Sequence, residues 1–374
     1  MNEGILTVQE FKKKLDAGKV PFIFDMRNRD EFRDWRIEGR GEIETLNIPQ
    51  EDFVGEEDRH LQRFPKNRPI VTFCAHGDAA LYSAEWLRKH GFDAAALEGG
   101  MDRWSEYYEH TIVSTKPEVY QLYRVAKGCI SYLAVSGESA VVIDAPRHVR
   151  AVLDIAEKMK KKIVRVLDTH LHADHISGGR EIARLTGASY HVHPFDVKMA
   201  SYAFTPLVDK GRISFGSSVI EVVHSPGHTP GSTSFLMDDV LLFTGDIIMK
   251  ESIGRPDLGG MSEQWAGELY DTLFKRYAKL EDDIIVLPSH STGLREQDKE
   301  GVVKLTLGQA RKGSDLYQLQ NLPDFLSRVR ANLPENPARY QDIRKVNLGS
   351  LTADEAKQKE LEIGKNLCGM KKVA

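Results

Sequence analysis

The chain has 374 residues, of which 41% are hydrophobic and 28% charged, and a formal net charge of -4 at pH 7. This length allows two or three domains with sizeable cores. The small net charge creates no broad field for nucleic acid or an anionic membrane, so neither partner is expected. We find no apolar run long enough to span a membrane and no targeting segment. Three cysteines are too few for a disulfide framework, so the sequence predicts a reduced, cytoplasmic protein.

The first 112 residues alternate predicted helices and strands. Thr7 and Glu10 form a capping box that opens a helix running toward Gly18. Apolar strands are predicted at 22–24, 69–73 and 94–97. This alternation predicts an α/β domain over residues 1–112, with a parallel sheet and helices on both faces. The polar stretch 111–118 shows no clear periodicity, so we place the domain boundary there.

The second of these strands runs directly into Cys74, and Gly77 allows a tight loop before the next helix. A thiol at a helix N-terminus, surrounded by backbone N–H groups, has a lowered pKa and can accept a transferred sulfur. Together with the segments 25–27, 47–49 and 97–104, this loop resembles a rhodanese domain over about residues 5–110. The resemblance implies that Cys74 is catalytic and carries sulfur as a persulfide, with His76 and Gly77 at the substrate.

The loop departs from the rhodanese pattern at its charged positions. Rhodanese loops commonly carry arginine where this chain has Ala75 and Ala79, and Asp78 adds a negative charge. An anionic donor such as thiosulfate would therefore meet a weaker attraction, and the thiolate would be less favoured. A working sulfurtransferase and a docking or persulfide-handling module both remain open.

Beyond residue 119, ligand-type side chains follow predicted strands. Strands are predicted at 130–135, 140–143, 163–167, 219–223, 232–237, 240–243 and 284–287, with an amphipathic helix at 152–161. Seven side chains that suit Zn, Fe or Mn come directly after such strands: His170, His172, Asp174, His175, His228, Asp246 and His290. A rigid sheet would aim all of them at one edge, so the sequence predicts a metal site.

The run from His170 to His175 and the order of the later ligands resemble the metallo-β-lactamase superfamily over about residues 119–300. The resemblance implies an αββα sandwich with the metal at one edge of its two sheets. We expect a catalytic domain at 119–300 and a helical C-terminal extension at 301–374 that packs on it.

Two metal contents are compatible with this resemblance. Two Zn²⁺ could be bound, one by His170, His172 and His228, the other by Asp174, His175 and His290, with Asp246 bridging. Such a site makes a hydroxide near neutral pH and hydrolyses thioesters, lactams or phosphodiesters. Alternatively, one Fe²⁺ per chain could be held by His170, His228 and Asp246, the two histidines and one carboxylate associated with non-haem iron.

The sequence around the ligands more closely resembles the persulfide dioxygenases, through residues 169–178 and 254–258. That resemblance implies the single Fe²⁺ site and the oxidation of a persulfide with O₂ to sulfite and thiol. His172, Asp174, His175 and His290 would then orient ligands and hold water, with Asp174 a candidate catalytic residue. Arg255 could contact a substrate carboxylate or phosphate, or form an ion pair with Asp257.

The expected partners are a small-molecule persulfide and O₂, and the oligomeric state, including a homo-oligomer, is left open. The thiol carrier is also open among glutathione, coenzyme A, bacillithiol and a protein cysteine. Cys129, entering a strand, is interpreted as a small buried apolar residue. Cys368 lies in a polar tail that is expected to be mobile.

Overall fold

The computed structural model describes residues 4–257, 261–333, 337 and 339–370, and the chain divides into two compact units. The first comprises Met1–Tyr108, Arg124–Lys127 and Gly293–Arg295. The second comprises Glu109–Tyr123, Gly128–Thr292 and Glu296–Ala374. None of the helices in the described ranges is long and apolar enough to cross a membrane.

The first unit is built on a five-stranded parallel sheet with the order β1-β5-β4-β2-β3. Its elements are β1 (Ile5–Leu6), α1 (Val8–Asp16), β2 (Phe22–Asp25), α2 (Arg29–Asp34), β3 (Thr45–Asn47), α3 (Gln50–Phe53), β4 (Ile70–Phe73), α4 (Asp78–Lys89), β5 (Ala94–Leu97) and α5 (Gly100–Glu106). The capping box of α1 is present, because Thr7 and Glu10 each accept a hydrogen bond from the other's backbone N–H. The predicted parallel α/β architecture is confirmed.

Aromatic packing fixes the end of β4. Phe24 in β2 lies edge-on to Phe53 and Phe64 at ring-centroid distances of 4.9 and 5.0 Å. Such pairs prefer this edge-to-face arrangement. On α1, Phe11 packs against Trp104 of α5 at 5.4 Å. The sheet is thus anchored to its helices beside the loop that carries the first cysteine.

The second unit contains two sheets and seven helices among the residues that the structure describes. They are β6 (Tyr108–Thr115), β7 (Glu118–Arg124), β8 (Ile130–Ser136), β9 (Ser139–Ile143), α6 (Arg150–Lys158), β10 (Lys162–Leu167), α7 (Gly179–Thr186), β11 (Ser189–Val192), β12 (Thr205–Pro206), β13 (Arg212–Phe215), β14 (Ser218–His224), β15 (Thr233–Met237), β16 (Leu241–Gly245), α8 (Ser262–Asp271), β17 (Ile285–Pro288), β18 (Leu305–Thr306), α9 (Leu307–Gly313), α10 (Leu322–Ala331), α11 (Arg339–Asn347) and α12 (Glu355–Leu361).

The two sheets pack face to face. One has the order β12-β11-β10-β9-β8-β7-β6 and the other β13-β14-β15-β16-β17-β18. Tyr132 of β8 and Phe243 of β16 meet between them, with ring centroids 5.0 Å apart. Leu269 of α8 and Phe325 of α10 are buried with Leu242 and Val286 of the second sheet, so these helices cover its outer face. This is the αββα sandwich that the sequence predicted.

The stretch 111–118 differs from its prediction as an irregular boundary. Residues 108–115 form β6, which lies at the edge of the seven-stranded sheet. An edge strand has one open side and tolerates polar residues there. The polar composition therefore marked an exposed edge, not the absence of a strand.

Candidate metal centre

Three of the predicted ligands converge between the two sheets. His170 follows β10, His228 lies between β14 and β15, and Asp246 follows β16. Oδ2 of Asp246 lies 3.6 Å from Nε2 of His170 and 3.4 Å from Nε2 of His228. The ligand atoms of the three residues all lie within 4.8 Å of one another, and each residue is about 1% exposed. We call these three residues the triad.

The triad has the features of a cation site. In the described part of the chain, Nε2 of His170 and Oδ2 of Asp246 are buried without a hydrogen-bond partner. Such atoms are costly to bury unless something binds them. Two imidazoles and one carboxylate make a ligand set for a divalent transition metal, with coordination positions left open.

Neighbouring groups aim the triad atoms at one point. Nδ1 of His228 donates to the backbone oxygen of Arg255 at 2.8 Å, which turns Nε2 toward Asp246. Nδ1 of His170 lies 2.9 Å from Oγ1 of Thr169, which itself donates to Asp144. Outer partners of this kind fix the tautomer and orientation of metal-binding histidines.

His172 does not join the triad. Its Nε2 donates to Oδ1 of Asp144 at 3.2 Å, and it groups with Asp144 and Asp168. Burial opposes ionisation of Asp144, but the hydrogen bond and charge of His172 outweigh burial and lower the pKa of Asp144 to about 2. Nδ1 of His172 is nevertheless buried without a partner in the described ranges.

The remaining predicted ligands form a second group centred on Asp174. Nδ1 of His175 donates to Oδ1 of Asp174 at 3.1 Å, and Nε2 of His290 lies 3.0 Å from Oδ2. Burial opposes both charges, but the ion pair raises the pKa of His290 well above its ordinary value and lowers that of Asp174. The Nδ1 atom of His290 donates to Oδ1 of Asp246 at 2.6 Å, so this ring connects the second group to the triad.

Two cysteines lie at the site, where the sequence indicated neither. Sγ of Cys129 is 3.5 Å from Oδ2 of Asp174, and the thiol of Cys368 lies beside Asp246 and His290. Cys129 directly precedes β8, the same position relative to a strand that flagged the other ligands. Cys368 carried no such signal, and its tail is not loose: the backbone N–H of Arg255 donates to the Cys368 oxygen at 2.9 Å.

Arg255 is fully buried in this structure. Its guanidinium makes two contacts of 2.6 Å with the carboxylate of Asp257. Of the two roles that the sequence left open, the structure shows the ion pair with Asp257. Its backbone oxygen, not its side chain, supports the triad through His228.

The C-terminal extension braces the ligand loop from outside. Nδ2 of Asn347, in α11, donates to the backbone oxygens of His172 and His175 at 2.9 Å each. Oε1 of Glu362 accepts from the backbone N–H of Ile176 at 2.7 Å. Residues 168–178 form neither helix nor strand, so these bonds replace a regular ladder.

In the first unit, Cys74 lies between β4 and α4. Its Sγ accepts a hydrogen bond from the backbone N–H of Gly77 at 3.1 Å, and the residue is 8% exposed. Nδ1 of His76 lies 3.0 Å from the carboxylate of Asp102, and both side chains are exposed. His76 is thus paired with an acid at the surface of the loop.

Comparisons with known proteins assign both domains. Residues 7–107 match the rhodanese-like domain and residues 125–290 match the metallo-beta-lactamase superfamily. The structure of a metallo-beta-lactamase from Staphylococcus aureus is similar with a TM-score of 0.56 at 26% identity, over 63% of this chain and 73% of that one. The chain therefore consists of a rhodanese-like domain followed by a metallo-β-lactamase domain, a fold of metalloenzymes.

Two curated relatives narrow the likeness. The mitochondrial persulfide dioxygenase ETHE1 of Homo sapiens is 29% identical over 189 residues, which is 46% of this chain and 66% of ETHE1. An uncharacterized protein of Mycobacterium leprae is 29% identical over 181 residues, which is 41% of this chain and 82% of that protein. Within the superfamily, the chain is similar to persulfide dioxygenases, as its sequence indicated.

Proposed function

We propose that the chain is an iron-dependent persulfide dioxygenase whose rhodanese-like domain handles the sulfur. The overall reaction is R-S-SH + O₂ + H₂O → R-SH + SO₃²⁻ + 2H⁺. The observation that carries this proposal is the triad of His170, His228 and Asp246, with its unpartnered atoms directed at one point. The likeness to human ETHE1 supports the substrate class.

The residues of the chain hold one Fe²⁺ and prepare its surroundings. Iron held by the triad supplies open positions at which the terminal sulfur of a persulfide and O₂ can meet. The hydrogen bond from His290 holds the Asp246 carboxylate in place, and the Arg255 oxygen holds the His228 ring. Complete burial of the three ligands keeps bulk water from competing for them.

In the first unit, Cys74 would carry sulfur as Cys74-S-SH. The Gly77 N–H that points at Sγ is suited to stabilise the thiolate. The exposed acids Asp78 and Asp102 lie near the loop and disfavour an anionic donor. We therefore place Cys74 in handling a neutral or protein-bound persulfide ahead of thiosulfate.

The test is anaerobic purification of the full chain, iron and zinc analysis, and O₂ uptake with glutathione persulfide. We expect about one iron per chain, prompt O₂ consumption and sulfite equal to the O₂ consumed. A chain with about two zincs and no O₂ uptake would overturn the proposal.

The alternative is a dizinc thioester hydrolase, with a sulfurtransferase-like or silent binding domain ahead of it. The observation that favours it is Nδ1 of His172, which is buried without a partner in the described ranges and could complete a three-histidine zinc site. Hydrolysis of a glutathione thioester by the zinc-loaded chain, without O₂ uptake, would establish this alternative.

A further inference from the structure

The proposed function uses the triad and leaves the Asp174 group without a role of its own. Four side chains from three separate places meet there: Cys129 before β8, Asp174 and His175 after β10, and His290 after β17. Their ligand atoms all lie within 4.8 Å of one another, and none of the residues is more than 5% exposed. We call them the cysteine cluster.

The contacts within the cluster do not fully account for it. Nε2 of His290 lies 3.0 Å from Oδ2 of Asp174, yet it is a buried atom whose angle is too poor for a hydrogen bond. Its lone pair or proton therefore points past the carboxylate, into the space between the four side chains. Sγ of Cys129 lies 3.5 Å from the same oxygen. Separations of about 3–4 Å between donor atoms are those of ligands arranged tetrahedrally around one ion.

The donor types select a particular ion. One thiolate, one carboxylate and two imidazoles form a four-donor set that includes soft sulfur, which favours zinc over iron. The negative charges of the thiolate and carboxylate together neutralise a divalent cation, as burial requires. The triad, by contrast, has three donors and no sulfur.

We propose that Cys129, Asp174, His175 and His290 bind a second divalent cation, of the zinc class, in a closed four-donor site beside the triad. Binding displaces the Cys129 proton to solvent and leaves no open position, so the ion is structural and takes no substrate. The chain would then hold two different metals, sorted by donor number and softness. This site goes beyond the proposed function and does not depend on it.

His290 gives the second ion an effect on the first site. An ion on Nε2 fixes the ring proton on Nδ1, and Nδ1 donates to Oδ1 of Asp246 at 2.6 Å. The second ion would therefore hold Asp246 in the orientation that the triad needs. Loss of zinc is expected to weaken iron binding by about tenfold, in the range of other outer partners of metal ligands.

The first experiment uses the wild-type full chain, so that it does not depend on the folding of any variant. Zinc X-ray absorption of the purified protein should show one sulfur scatterer at about 2.3 Å with lighter atoms at about 2.0 Å. The Co²⁺-loaded chain should show a thiolate-to-cobalt charge-transfer band in the near ultraviolet. Zinc without a sulfur neighbour, or no zinc at all, would overturn the proposal.

Three serine variants then assign the sulfur. C129S should lose the cobalt band and at least about tenfold in zinc affinity, while C74S and C368S should keep both. Retention of the band in C129S, or its loss in C368S, would contradict the assignment. A wild-type chain with one ion and a C129S chain with two would show that the thiol blocks the second site.

The outcome is separable from that of the proposed function. Sulfur-ligated zinc without iron or O₂ uptake would remove the dioxygenase and keep the second site. Iron and O₂ uptake without sulfur-ligated zinc would do the reverse.

Discussion

His228 and His224 lie four residues apart and do different work. His228 belongs to the triad, whereas the ring of His224 stacks on His193 with centroids 4.3 Å apart and planes inclined by 3°. We expect H228A to lose iron by more than the roughly 10- to 100-fold that removal of an outer partner costs, and H224A to retain it. Iron titration under anaerobic conditions measures both. Equal losses in the two variants would mean that the triad is not the iron site.

Arg255 shows how a buried charge depends on one partner. In R255A, Asp257 would keep its charge without the guanidinium, and we expect the free energy of unfolding to fall by about 3 kcal/mol. The matched control is R29A, since the Arg29–Asp52 pair is exposed and its loss should cost less than about 1 kcal/mol. Urea unfolding followed by circular dichroism tests this, and equal midpoints for the two variants would contradict it.

The sequence could identify ligands but could not divide them between sites. His170 and His172 are two apart, which in extended backbone would place them on one side. Residues 168–178 are not a strand, however, and His172 turns to Asp144 instead. Cys129 and Asp174 are 45 residues apart, and no local periodicity reports a contact across that separation. Ligand identity is local information, whereas grouping depends on how the strands are stacked.

At the scale of elements, the same limit applies to the C-terminal helices. Their helical pattern was readable, but the hydrogen bonds from Asn347 in α11 to His172 and His175 span more than 170 positions. The strands of both sheets were predicted to within a few residues because each is an apolar run buried on both faces. The edge strand β6, half exposed and polar, escaped the same criterion.

Asn347 therefore makes a testable connection between an element and the site. N347A removes two donors from the ligand loop, and we expect about tenfold weaker iron binding with the helix content unchanged. The matched control is K345A, two residues earlier, whose side chain pairs with Asp342 at the surface. Unchanged iron affinity in N347A would show that the loop holds its shape without this brace.

The turn between β5 and α5 gives a second test at this scale. Gly100 has a φ of +56°, and a Cβ there would lie 2.2 Å from the backbone oxygen of Cys74. Gly91 also has a positive φ, of +84°, but nothing lies within 4 Å of its Cβ position. Both alanine variants lose about 1 kcal/mol from backbone strain, so the additional loss in G100A measures the close approach to the cysteine loop. Thermal unfolding of the two variants should separate them clearly.

For the whole molecule, the two domains join a sulfur-carrying thiol to a metal centre in one chain. The first unit has its own sheet and aromatic core, and the second has the sandwich and the triad. Because the ligands that we assign to iron all belong to the second unit, the chemistry at the triad does not need Cys74. The fusion would then matter for how sulfur arrives, not for how it is oxidised.

This independence predicts the behaviour of C74S. With a small persulfide such as glutathione persulfide supplied in solution, C74S should consume O₂ at the wild-type rate and with unchanged iron content. When sulfur can reach the chain only through transfer to the first unit, from a protein persulfide donor, O₂ uptake by C74S should fall to background. Collapse of the rate with the small persulfide as well would mean that Cys74 takes part in oxidation itself, and the two domains would have to be treated as one catalytic unit.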